Sequence, residues 1–79
     1  MNIGQAVAKR LNDLLRQKEM TQYRLAKETL ISHNTMSTII NAKNKTANLQ
    51  SLFLICRALN ITIDEFFNDP VFKKDLDID

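Results

Sequence analysis

The sequence predicts an all-α fold, a compact bundle of five short helices, from three observations. Apolar residues recur at the three- and four-residue spacing of a helix with one buried face, most clearly Ile3, Ala6, Val7, Leu11, Leu14 and Leu15. No stretch alternates apolar and polar residues as a half-buried strand would. The 79 residues contain one glycine and one proline, so few positions interrupt a helix. Apolar residues make up 44% of the chain, enough for a single-domain core without disulfides or metal.

The elements follow in order. The first helix is predicted over Ile3–Lys18, with Asn2 as its cap and Gln5 three residues on completing a capping-box pattern. Gly4 falls in the first turn, where it costs less than mid-helix. After a short connection, Lys18-Glu19-Met20, Thr21 caps a second helix over Gln22–Thr29 and Ser32 caps a third over His33–Asn41. Ala42–Ala47 lacks periodicity and reads as a loop. Asn48 caps a fourth helix over Leu49–Leu59, whose buried stripe is Leu49, Leu52, Ile55, Cys56 and Leu59. Phe53 and Leu54 lie outside that stripe. A second capping box, Thr62 with Glu65, opens a fifth helix over Ile63–Asn68, and Pro70 stops it. The tail, Val71–Asp79, mixes apolar and acidic residues and reads as ordered only by a partner or a neighbouring subunit.

The most informative stretch is Thr21–Ala42. Leu25, Ala26, Ile31, Met36, Ile39 and Ile40 are spaced to hold two helices against one core. The outward positions of the later helix carry His33, Asn34, Ser37 and Thr38. A helix with an apolar back and a short, polar, uncharged front fits the major groove of DNA and can read base edges through hydrogen bonds. The same pattern also suits an ordinary two-helix corner in a small bundle.

Charge is unevenly placed. Residues 21–45 hold Arg24, Lys27, Lys43 and Lys45 against Glu28 alone, and residues 1–20 add Lys9, Arg10, Arg16 and Lys18 against Asp13 and Glu19. Residues 64–79 reverse the sign, with Asp64, Glu65, Asp69, Asp75, Asp77 and Asp79 against Lys73 and Lys74. The first region attracts phosphate and the tail is repelled by it, or these are simply solvated faces.

Other chemistry is sparse. One histidine and one cysteine on different helices make no metal site and no convincing nucleophile pair, and no glycine loop cradles a phosphate. Cys56 lies on an apolar stripe, where a buried thiol is the ordinary explanation. The expectation is no enzymatic activity, no cofactor and no metal. No apolar run approaches the roughly 20 residues of a membrane span, and no basic-then-apolar leader opens the chain. With a lone cysteine, this reads as a cytoplasmic protein.

The order Gln22, Ala26, Ile31-Ser32, Met36-Ser37, Ile39, then Leu52, Ile55-Cys56, Ala58-Leu59 and Thr62-Ile63-Asp64-Glu65-Phe66, resembles the helix-turn-helix domain of the phage repressor/Cro family, the XRE-like regulators. The likeness runs from about Ile3 to Phe67. It implies a five-helix bundle of the lambda-repressor-like DNA-binding type over residues 1–68, followed by a tail at 69–79. It also implies a homodimer on a two-fold operator, acting by operator occupancy and exclusion of RNA polymerase, and an origin in phage or mobile elements. Base reading would fall to His33, Asn34, Ser37 and Thr38. Phosphate contact would fall to Thr21, Gln22, Lys43, Asn44 and Lys45. Phe53, Leu54, Phe66, Phe67 and Phe72 read as a dimer surface, unless the tail folds back over Phe53 and Leu54 within one subunit. An antitoxin that binds a toxin as well as DNA is the alternative. A helical adaptor that has lost DNA binding would carry a charge reversal across 21–45, and the chain shows a basic excess there instead. The family usually places glycine in the turn where this chain has Leu30. Leucine there either carries strain of roughly 1–2 kcal/mol or the turn is reshaped.

Overall fold

A computed structural model describes residues 1–43 and 48–77. Its helices are α1 (Ile3–Gln17), α2 (Gln22–Thr29), α3 (His33–Ile40), α4 (Leu49–Ala58) and α5 (Ile63–Phe67), followed by a 3-10 turn at Pro70–Phe72. All five helices lie where the sequence places them, four of them ending one residue earlier than expected. Asn2, Thr21, Ser32, Asn48 and Thr62 each accept a hydrogen bond from the backbone N–H three residues on, and Asn2 with Gln5 and Thr62 with Glu65 form complete capping boxes.

The helix exits are less legible. With the lone glycine inside α1, the left-handed residues that end α1 to α4 are Glu19, Leu30, Ala42 and Asn60, with φ between 53° and 62°. Three of these exits are Schellman motifs, in which two backbone N–H groups return to the last turn. The Met20 and Glu19 N–H groups donate to Leu15 and Arg16, Lys43 and Ala42 to Thr38 and Ile39, and Ile61 and Asn60 to Cys56 and Arg57. The α2 exit differs. There the buried Thr29 hydroxyl donates to the Leu25 carbonyl at 2.8 Å and accepts from the Ile31 N–H at 3.3 Å, bridging the turn with a side chain. Leu30 sits in the left-handed region at φ 62° and ψ 14° and is 92% exposed. The turn keeps the geometry glycine would give it, so the leucine carries the strain, with no burial to offset it.

One core holds the helices together. It is built from Val7, Leu11, Leu14 and Leu15 of α1, Leu25 and Ala26 of α2, Met36 and Ile40 of α3, Leu52, Ile55 and Cys56 of α4, Leu59, and Phe66 of α5. Burial pushes the Cys56 thiol above its ordinary pKa, which keeps it protonated and unreactive. Leu49, expected in the buried stripe of α4, is exposed instead. It is the first residue of the helix, where the chain has just entered from the surface.

Two polar side chains of α1 fasten distant elements. The Asn12 amide donates to the Ala8 carbonyl at 2.8 Å and to the Ile40 carbonyl at 3.1 Å, tying α1 to the end of α3. The Arg10 guanidinium donates to the Phe66 and Glu65 carbonyls at 2.8 and 2.9 Å, and its Nη1 lies 3.4 Å from an Asp69 carboxylate oxygen. Arg10 therefore caps α5 and does not belong to the phosphate-attracting surface. On the exposed side of α1, Asp13 accepts from Lys9 at 3.0 Å and from Arg16 at 2.7 Å. The Lys9 hydrogen bond, opposed by some desolvation, holds the Asp13 carboxyl below its usual range, so the stabilisation is present at neutral pH and fades as acid protonates the group.

Two expectations are corrected. Phe66 is fully buried and cannot be a dimer surface; Phe67 and Phe72 are partly buried beside it, their rings 4.7 Å apart edge to face. These aromatics fill the space under the short α5, which has too few residues to bury a core face unaided. The tail packs against its own chain as far as residue 77. Val71 is buried, the 3-10 turn packs on α1, and the Asp77 N–H donates to the Met1 carbonyl at 2.9 Å. It does not cover Phe53, which is half exposed.

Replacing Leu30 by glycine is expected to raise stability by about 0.5–1 kcal/mol, the relief of strain exceeding the added freedom of the unfolded chain; thermal denaturation checks it. Phe66→Ala is expected to lose about 3–5 kcal/mol and Phe53→Ala less than about 1 kcal/mol, a contrast that urea titration of the two variants measures.

Candidate nucleic-acid interface

α3 is positioned from both sides. Met36 and Ile40 anchor its inner face in the core, and Asn12 holds its last carbonyl. The Ser32 hydroxyl accepts from the Thr35 N–H at 3.1 Å and donates to the Thr35 hydroxyl at 3.0 Å, which fixes the first turn. His33 and Asn34, the first two residues of the helix, are exposed as a direct consequence. Neither side chain takes part in a hydrogen bond among the described residues, so the Asn34 carboxamide keeps its full donor and acceptor set.

Ser37 and Thr38 sit one turn further on and are partly buried. Their hydroxyls are already engaged. Thr38 donates to the Asn34 carbonyl at 3.0 Å, and Ser37 accepts from the Asn41 amide at 3.1 Å. What Thr38 keeps for an approaching ligand is its methyl group and its oxygen lone pairs; Ser37 keeps its hydroxyl proton. Asn41 also donates to the Ser37 carbonyl at 2.9 Å. The sequence does not single Asn41 out, because its role depends on how α3 ends.

α2 begins beside this surface. Thr21 caps it through the Arg24 N–H at 3.1 Å, leaving the first-turn amides of Gln22 and Tyr23 without helical acceptors. Such amides, with the positive end of the helix dipole, suit a phosphate oxygen. The closeness of the two helix starts is visible in one contact. The Tyr23 ring lies 5.1 Å from the His33 ring at an interplanar angle of 22°, a stacked pair on the surface. Sequence reasoning misses Tyr23 as well, although its place next to Gln22 in the first turn of α2 is the available signal.

Lys43 and Lys27 are exposed, and Arg24 lies 3.4 Å from Glu28 in an i,i+4 pair. The basic character of the α2–α3 side therefore survives Arg10's engagement elsewhere. Asn44 and Lys45 lie outside the described residues. Away from this surface, Leu49, Gln50, Phe53 and Ile63 line a shallow apolar groove at the start of α4, and Leu54 lines a separate depression with Leu30 and Arg57. Phe53 and Leu54 are thus accessible on α4, whereas Phe66 is fully buried and Phe67 and Phe72 are partly buried beside it. Among the described residues there is no cluster of three or more potential metal ligands, and no helix is long and apolar enough to cross a membrane.

A family model described as the Cro/C1-type HTH DNA-binding domain matches residues 10–70. The match takes in α2, α3, α4 and α5 entire and the second half of α1. No curated protein and no solved structure matches the chain. A match over most of the sequence, an all-helical bundle and an outward-facing α3 agree, and the chain belongs to the Cro/C1-type helix-turn-helix family of DNA-binding transcriptional regulators.

Proposed function

We propose that the protein is a sequence-specific regulator of the Cro/repressor kind that occupies a double-stranded operator as a homodimer and acts by excluding RNA polymerase. The observation that carries this reading is the exposed, uncharged first turn of α3, fixed from behind by Ser32, Met36 and Asn12. In it, α3 lies in the major groove. The Asn34 carboxamide pairs with an adenine edge through two hydrogen bonds, the His33 imidazole donates to guanine, the Thr38 methyl meets a thymine methyl, and the Ser37 hydroxyl contacts the groove beside them. Thr21, Gln22, Lys43, Asn44 and Lys45 hold the flanking phosphates and set register without reading sequence. In such a dimer the two α3 helices stand about 34 Å apart, one duplex turn.

A second reading is favoured by the apolar groove of Leu49, Phe53 and Ile63. An antitoxin uses such a surface for a toxin partner while binding DNA through α3. In the repressor reading the same surface meets a second copy. Size measurement of the chain alone separates the two, since a homodimer forms without any other protein and an antitoxin surface stays open.

Selection of bound duplexes from a random pool, followed by mobility shifts, tests the proposal. Asn34→Ala is expected to relax preference at one base pair per half-site, a loss of about 1–3 kcal/mol in discrimination. Lys43→Ala is expected to weaken all sequences alike and to lower the slope of log affinity against log salt by about 1 for each phosphate that is no longer neutralised. A parent chain that enriches no sequence, or an Asn34→Ala variant with unchanged preference, contradicts the assignment.

A further inference from the structure

Neither the core nor the helix caps account for the Tyr23–His33 stack. Both residues are exposed, Tyr23 at 65%, so burial does not force the contact. It joins the second residue of α2 to the first residue of α3 across the turn formed by Thr29 and Leu30. The polar groups around His33 are occupied with one another: the Ser32 hydroxyl with Thr35, and the Thr38 hydroxyl with the Asn34 carbonyl. Among the described residues no hydrogen bond reaches the imidazole. What meets the imidazole is the tyrosine ring.

We propose that Tyr23 is a positioning residue that sets the plane of the His33 imidazole and thereby the selectivity at the base pair His33 reads. The proposal rests on the assignment of His33 to base reading under Proposed function. The stack uses the face of the imidazole and leaves both ring nitrogens free at its edge. A base presents its donors and acceptors in its own plane, so an imidazole already held in one plane loses less freedom on binding than a freely turning one. Tyr23 is suited to the task because its own helix is fixed, by the Thr21 cap and by burial of Leu25 and Ala26. The ring is what matters, not the hydroxyl, so phenylalanine should serve in its place.

The test compares the parent, Tyr23→Phe, Tyr23→Ala, His33→Ala and the Tyr23→Ala/His33→Ala double variant. Each is measured against the selected operator and against duplexes altered one base pair at a time, after circular dichroism has shown that each folds. His33→Ala should lose discrimination at one base pair per half-site. Tyr23→Ala should lose about two- to tenfold of discrimination at that same base pair and little elsewhere. Tyr23→Phe should retain it, and the double variant should match His33→Ala alone. On the free protein, NMR should show the His33 ring protons shifted by the tyrosine ring current in the parent and in Tyr23→Phe, and unshifted in Tyr23→Ala. If His33→Ala loses discrimination and Tyr23→Ala does not, or if the ring-current shift is absent from the parent, this proposal fails alone. If the parent shows no base preference, the base-reading assignment fails and takes this proposal with it. An equal loss at every base pair in Tyr23→Ala makes Tyr23 a general DNA contact and also overturns it.

Discussion

The orientation of α3 depends on a single constraint, the burial of Met36 and Ile40 in the same core that receives Leu11, Leu14, Leu25 and Ala26. Each large apolar side chain among them contributes about 1.5–3 kcal/mol through apolar area removed from water. That is enough, over several residues, to hold a left-handed leucine in the turn and to decide which face of an eight-residue helix points outward. An isolated helix of this length has little stability in water. The outward display of His33 and Asn34 is therefore a property of the core and cannot be assigned to α3 by itself.

Polar side chains then refine what burial sets roughly. Asn12 fastens the last carbonyl of α3, Thr29 bridges the turn before it, and Ser32 closes its first turn. Arg10 does the equivalent work for α5, and is thereby withdrawn from any phosphate surface. Surface pairs such as Lys9–Asp13 and Arg24–Glu28 are exposed and add little to stability. The basic excess around α2 and α3 matters chiefly as a field that attracts a polyanion.

The helix starts are legible in the sequence because caps act locally: Asn2, Thr21, Ser32, Asn48 and Thr62 each bind an amide three residues away. The core stripe of α1 is legible from Ala6 to Leu15 because its period is regular, but Ile3, which the sequence also places in that stripe, is exposed at the start of the helix. The exits are harder to read. The sequence has no glycine at any of them, and only the structure shows that Glu19, Leu30, Ala42 and Asn60 take the left-handed conformation regardless. Phe66 is misread because a five-residue helix gives no usable periodicity, so two adjacent phenylalanines cannot be sorted into inside and outside. Leu49 is misread for a related reason, since period alone does not say where along a helix burial begins. At the candidate interface, the exposure of His33 and Asn34 follows from helical spacing. The Tyr23–His33 stack does not, because it depends on how two helices meet.

Contact of DNA with the first turns of α2 and α3 is tested most sharply by titrating the isotopically labelled chain with its selected duplex and following the amide resonances by NMR. The largest shifts are expected at Gln22–Tyr23 and across His33–Thr38, with the Leu49–Phe53 surface unaffected by DNA contact. Shifts centred on α4 and α5, with the amides of α3 silent, would contradict the groove-facing role of α3.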